Sequence, residues 1–120
     1  MFAKLISTLK QFITPYPISP DAPELKETVA TFIEGVVHRL HSNAWVQHIT
    51  APDYVWMHGQ WVFRVYANYS MDRRYYAGHG CYDWAQEDHD LGFTFYFLPD
   101  NSHAFTVPVK GTDLFLTGEC

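Results

Sequence analysis

The reactive side chains of this sequence gather between residues 78 and 90. Gly78-His79-Gly80-Cys81-Tyr82-Asp83 sets an imidazole, a thiol and a carboxylate at alternate positions, and Glu87-Asp88-His89-Asp90 follows closely. Residues two apart on a strand share a face, so His79, Cys81 and Asp83 have the types required of a nucleophile, its base and an orienting carboxylate. Their spacing argues against that chemistry. Side chains two apart on one strand lie about 7 Å from each other, beyond hydrogen-bond reach, and catalytic triads draw their members from separate elements. His79, Cys81 and His89 are therefore weak catalytic candidates, and the sequence leans towards a protein that is not an enzyme.

Metal binding is the next chemistry to weigh, because seven histidines is many for 120 residues. His38 and His41 are three apart on a helical segment, and the Gly-His-Gly-Cys and Glu-Asp-His-Asp segments offer soft and hard ligands. No recognised spacing is present, neither CxxC nor HExxH nor a calcium loop. The expectation is no metal and no other cofactor.

The same region reads better as an interaction surface. Arg73, Arg74, Tyr75 and Tyr76 form an arginine–aromatic patch, and Trp84 precedes the carboxylates Glu87, Asp88 and Asp90. Aromatic and arginine side chains are the usual interface anchors, and acidic segments steer encounter with basic partners. Three carboxylates within four residues cannot be buried together without a large desolvation cost, so residues 85–91 are expected as a solvated acidic loop. The reading is a small acidic protein-binding module, an inhibitor or immunity-type protein that blocks another macromolecule through a protein partner of basic character. The alternative is a pocket that binds or enzymatically converts a small molecule, lined by Trp56, Tyr66, Tyr76, Trp84 and Tyr96.

Composition sets bounds on these readings. Almost half of the residues are hydrophobic, less than a fifth are charged, and the net charge is −5. That is a globular composition, expected as one domain over 1–120. The charge argues against nucleic-acid binding and against an anionic membrane surface, which need clustered Lys and Arg. Apolar runs fall far short of a membrane span. Lys10 interrupts the first apolar run, against a signal peptide, and Cys81 and Cys120, one incidental and buried, the other terminal, read as free thiols of a reducing, cytoplasmic setting.

The elements that must position these residues follow from periodicity. Phe2, Leu5, Ile6, Leu9, Phe12 and Ile13 trace a helical stripe over residues 2–13, a first helix that also offers a homodimer contact. Prolines 15, 17, 20 and 23 make residues 14–23 an extended strap. Asp21 and Glu24 suggest a capping box opening a main helix over 24–42, whose face is Leu25, Val29, Phe32, Ile33, Val36, Val37 and Leu40. From 44 to 117 strand signals dominate. Tyr54–Met57 and Trp61–Tyr69 flank a tight His58-Gly59-Gln60 turn, residues 70–73 read as a turn, and Arg74–Trp84 reads as a strand broken by Gly78 and Gly80. Phe93, Phe95 and Phe97 alternate on one face of Gly92–Leu98, and Pro99–Ser102 predicts a hairpin returning through 103–109. Leu114-Phe115-Leu116 predicts a last short strand. Helices before strands give an α+β fold with a curved antiparallel sheet, an element order that resembles cystatin-like rolls.

Overall fold

Pro23 suits the first turn of a helix, where its preset φ helps and its missing N–H costs nothing. It opens α1 (Pro23–Leu40), which buries Leu25, Thr28, Val29, Phe32, Ile33 and Val37. The computed structural model describes residue 11 and residues 13–120. The helix predicted over 2–13, with its homodimer contact, therefore lies almost wholly outside the described residues. The capping box does not form. Ala22 occupies the N-cap without a side-chain cap, one residue beyond Asp21, whose own amide donates to Ser19 Oγ at 3.3 Å. The helix also ends at Leu40, where His41 turns extended while its amide still donates to the Val37 carbonyl at 2.9 Å.

Six strands follow: β1 (Trp45–Ile49), β2 (Asp53–Met57), β3 (Gln60–Gly78), β4 (Cys81–Leu98), β5 (Val107–Pro108) and β6 (Phe115–Glu119). They form one antiparallel sheet in the order β1-β3-β4-β6-β5, with β2 also paired to β3. The sheet curls strongly around α1 as a half-barrel, so the fold is α+β with an antiparallel sheet. No helix among the described residues is long and apolar enough to cross a membrane.

The phenylalanine row organises the core. Phe63 opposes Phe95 and Val65 opposes Phe93 across β3–β4, and α1 supplies Phe32, whose ring meets Phe95 edge-on at 5.2 Å and Phe93 at 6.4 Å. Phe95 also stacks on Phe63 at 5.0 Å. Leu116 of β6, opposite Phe97, is fully buried in the same cluster. The strap packs over the β2–β3 hairpin: the Tyr54 hydroxyl donates to the Ile18 carbonyl at 2.7 Å, the Trp61 indole donates to the Thr14 carbonyl at 2.9 Å, and Tyr16 stacks on Tyr54 at 4.3 Å.

Three sequence expectations are corrected. Residues 70–73 are no turn and residues 85–91 no loop; both belong to the long strands β3 and β4. Cross-strand pairing holds them extended after the apolar alternation has stopped. The Pro99–Ser102 segment does turn, with Asp100 Oδ1 accepting from the Ser102 amide at 3.2 Å, but residues 103–109 do not return along β4. β6 takes that place, and the return strand is cut to Val107–Pro108 on the outside of β6, where a proline lacking its N–H is tolerated on an edge.

Candidate functional site

β3 and β4 outrun every other strand. β1 flanks β3 only as far as Ser70, and β6 reaches β4 only at Thr94. Beyond the Ser70–Asp88 pair the two strands continue alone to Gly78 and Cys81, a two-stranded arm about 25 Å long at the usual rise per residue. The Cα radius of gyration is 18.6 Å and the longest extent 69 Å, against about 14 Å for the radius of a compact chain of this length; the arm contributes to that elongation. Its tip is His79-Gly80, with φ of 54° and 75°. Two central residues at positive φ between paired Gly78 and Cys81 make a type I′ turn, whose twist matches the strands it joins. An extra residue before it shifts the register between Tyr76 and Gly78. The His58-Gly59 pair, at 51° and 76°, builds the same turn between β2 and β3.

Strand alternation divides the arm into two faces. Arg74, Tyr76, Tyr82 and Trp84 share the face turned away from α1, opposed as Arg74–Trp84 and Tyr76–Tyr82. The tyrosine rings meet edge-on at 5.4 Å, and the Arg74 guanidinium lies 3.9 Å from the Tyr82 ring centroid. The Tyr76 hydroxyl accepts from the Gly80 amide at 3.0 Å, tying this cluster to the turn. Trp84 and Tyr76 are each 61% exposed and Tyr82 57%. Arg73 and Tyr75 point to the other face, so the four-residue patch read from the sequence is split between two surfaces.

The carboxylates sit at the base of the arm. Glu87 bridges Arg73 at 3.3 Å and His89 at 3.2 Å, and the His89 bond is the first cause of a Glu87 pKa below its ordinary value. Asp88 accepts from the buried Ser70 hydroxyl and from Gln86 Nε2 at 3.1 Å. Those bonds likewise hold its carboxyl below the ordinary range, the serine contributing most. Asp90 accepts from Asn68 Nδ2 at 2.9 Å. Every one of these partners lies on β3 or β4, so the acidic segment is a polar ladder on a strand. Glu87 lies on the helix-side face and Asp88 and Asp90 on the opposite one. His89 stacks on Tyr69 at 5.3 Å, and His41 stacks on Tyr69 at 6.2 Å.

The catalytic candidates do not converge. His79 occupies a positive-φ turn position, so it shares no strand face with Cys81, and His89 is eight residues down β4, about 27 Å away at the rise of a strand. The Cys81 thiol is exposed, correcting the expectation of burial, and contacts the His79 carbonyl at 3.8 Å. Asp83 Oδ1 accepts from the Trp84 amide at 2.8 Å. Among the described residues no three His, Cys, Asp or Glu side chains gather in a way that would hold a metal ion. The aromatic pocket does not assemble either. Tyr76 and Trp84 are on the arm, Trp56 packs edge-on against Trp61 at 5.1 Å, and of the five only Tyr66 and Tyr96 border a common recess. They line an open recess of about 260 Å³ with Arg64, Thr94, Glu119 and Cys120. Tyr82 and Gln86 are the arm residues that the sequence reading missed. Placing the turn at His79-Gly80 sets Tyr82 opposite Tyr76 and would have found it.

Searches with family models, among curated proteins and among solved structures found no match to this chain.

Proposed function

We propose that this chain is a non-enzymatic protein-binding module of inhibitor or immunity type, which engages a protein partner through the β3–β4 arm. One observation carries the reading: a two-stranded arm leaves the core and exposes Arg74, Tyr76, Tyr82 and Trp84 on one face. An isolated hairpin is marginally stable in water, and exposed aromatics cost solvation without folding gain, so such an arm is best accounted for by a surface that covers it. Trp, Tyr and Arg are the side chains that most often dominate binding energy. The rings are already held by the Tyr76–Tyr82 contact, the Arg74–Tyr82 contact and the Tyr76–Gly80 hydrogen bond, which lowers the ordering cost of association. An arm two strands wide suits insertion into a partner's cleft, the geometry by which a small protein blocks a larger one. The roll of sheet around α1, with cystatin-like rolls as an analogy of element order, is then the scaffold that presents it.

The test is affinity capture from cells of the source organism, with the wild-type chain and the Tyr82→Ala/Trp84→Ala variant as parallel baits. The captured partner should be lost from the variant while its circular dichroism and melting temperature stay close to wild type. Equal capture by both baits would overturn the arm as binding element.

A further inference from the structure

The backbone of β3 and β4, in the arm and at its base, carries a second feature that the aromatic face does not use. The Tyr66 carbonyl accepts from the Thr50 amide at 2.9 Å, and the Tyr66 amide donates to Thr50 Oγ1 at 2.8 Å. The Asp72 carbonyl accepts from Asn43 Nδ2 at 3.0 Å. Even-numbered residues of β3 thus turn their peptide groups away from β4. In an antiparallel ladder the residues opposite them do the same, and these are Gly92, Asp90, Asp88, Gln86 and Trp84 of β4. The hydrogen bond from the Trp84 amide to its neighbour's side chain, and not to β3, fits that parity. Where β6 is present, from Thr94 onward, it lies along this edge of β4; from Gly92 to Trp84 no strand among the described residues does.

Resting on the arm reading above, we propose that the edge of β4 from Trp84 to Gly92 receives an extended, Lys- or Arg-bearing segment of the partner, added as a further strand in line with β6. Main-chain pairing supplies the affinity in such strand addition and the flanking side chains select the sequence. The selection here is for positive charge. Asp88 and Asp90 are bonded to the neutral side chains of Ser70, Gln86 and Asn68, so their charge stays uncompensated on the outer face beside the free peptide groups. On the other face Asp83 flanks the edge, while Glu87 is already paired with Arg73 and His89. The same carboxylates disfavour the edge of a second copy: antiparallel self-pairing of β4 brings acidic strands together, the usual protection of an exposed edge against its own kind.

The probe is a fluorescent peptide of about eight residues alternating lysine and valine, long enough to span the free edge. It is compared with its glutamate–valine counterpart and with the lysine peptide N-methylated at every residue, by anisotropy against the full chain. The lysine peptide should bind. N-methylation, which keeps the charge and removes the donors of both edges, should weaken it at least tenfold, and the glutamate peptide should not bind. Gln86→Pro, which removes one outward N–H without touching the β3 ladder, should also weaken the lysine peptide at least tenfold. Equal affinity for the methylated peptide would overturn strand addition in favour of charge attraction alone, as would failure of the lysine peptide to bind. Concentration-dependent self-association abolished by Gln86→Pro would overturn it in favour of a second copy. None of these outcomes touches the aromatic-face reading, which falls separately if Tyr82→Ala/Trp84→Ala leaves partner capture unchanged.

Discussion

Removing the ring at the centre of the core gives the sharpest test of the packing. Phe95 is fully buried and touches Phe32, Phe63 and Phe93 with ring centroids at 5.2, 5.0 and 5.7 Å. Truncation of such a ring costs about 3–5 kcal/mol. At an unfolding entropy of about 2.1 cal/mol/K per residue, the melting temperature of a 120-residue chain should fall by about 12–20 °C. Gly118 sharpens the argument. It lies directly opposite Phe95 on β6, and a methyl group there would sit 2.9 Å from the Phe95 ring and 3.3 Å from that of Phe32. Gly118→Ala alone should therefore cost about 1–3 kcal/mol as overpacking. In the Phe95→Ala background the ring is gone and the same methyl should cost little or restore stability. Urea unfolding of the two single variants and the double variant gives the coupling energy. Additive losses, or a Phe95→Ala change below about 0.5 kcal/mol, the range of an inconsequential surface substitution, would refute the register that places ring over glycine.

Further outcomes follow from the arm and the strap. The lowered pKa values of Glu87 and Asp88, set first by His89 and Ser70 respectively, mean that their stabilisation is complete above the ordinary carboxylate range. It is lost as the pH falls through the lowered folded-state values; Asp88→Asn should remove part of that acid dependence, read by Trp fluorescence across a pH series. Burial pushes the Tyr54 hydroxyl up to about 12, and ionisation would also break the bond its O–H donates to the Ile18 carbonyl. Stability should thus decline between pH 10 and about 12, and Tyr54→Phe should abolish that decline in alkaline unfolding curves. At the tip, His79→Asn should be close to neutral and His79→Val should loosen the arm, since a β-branched residue resists positive φ; amide exchange of residues 75–83 reads the difference.

The sequence displayed the core plainly and the arm poorly. Phe93, Phe95 and Phe97, the stripe of α1 and the His58-Gly59 turn were all legible because burial imposes a period on them. Between Ser70 and Leu91 only Met71 still packs against the core, so the period vanishes. Strand there is specified by register, by the His79-Gly80 turn and by polar cross-strand partners such as Asn68–Asp90 and Ser70–Asp88. Read in isolation, such residues look like turn and loop. The same cause split the candidate site: adjacency in sequence grouped Arg73 with Arg74, whereas alternation sends them to opposite faces. The Pro99–Ser102 turn was visible, but its partner strand was not, because that choice depends on β6, which lies further along the chain.

Amide hydrogen exchange on the arm, free and in complex with the captured partner, tests the central claim most directly. In the free chain the amides of Ala85, Glu87 and His89, turned towards β3, should exchange slowly, while those of Gln86, Asp88 and Asp90 should exchange fast. On binding, the fast set should become protected together with Tyr76 and Tyr82, leaving α1 unchanged. Protection confined to α1 or to the recess beside Tyr66 and Tyr96, with the arm exchanging as before, would contradict it.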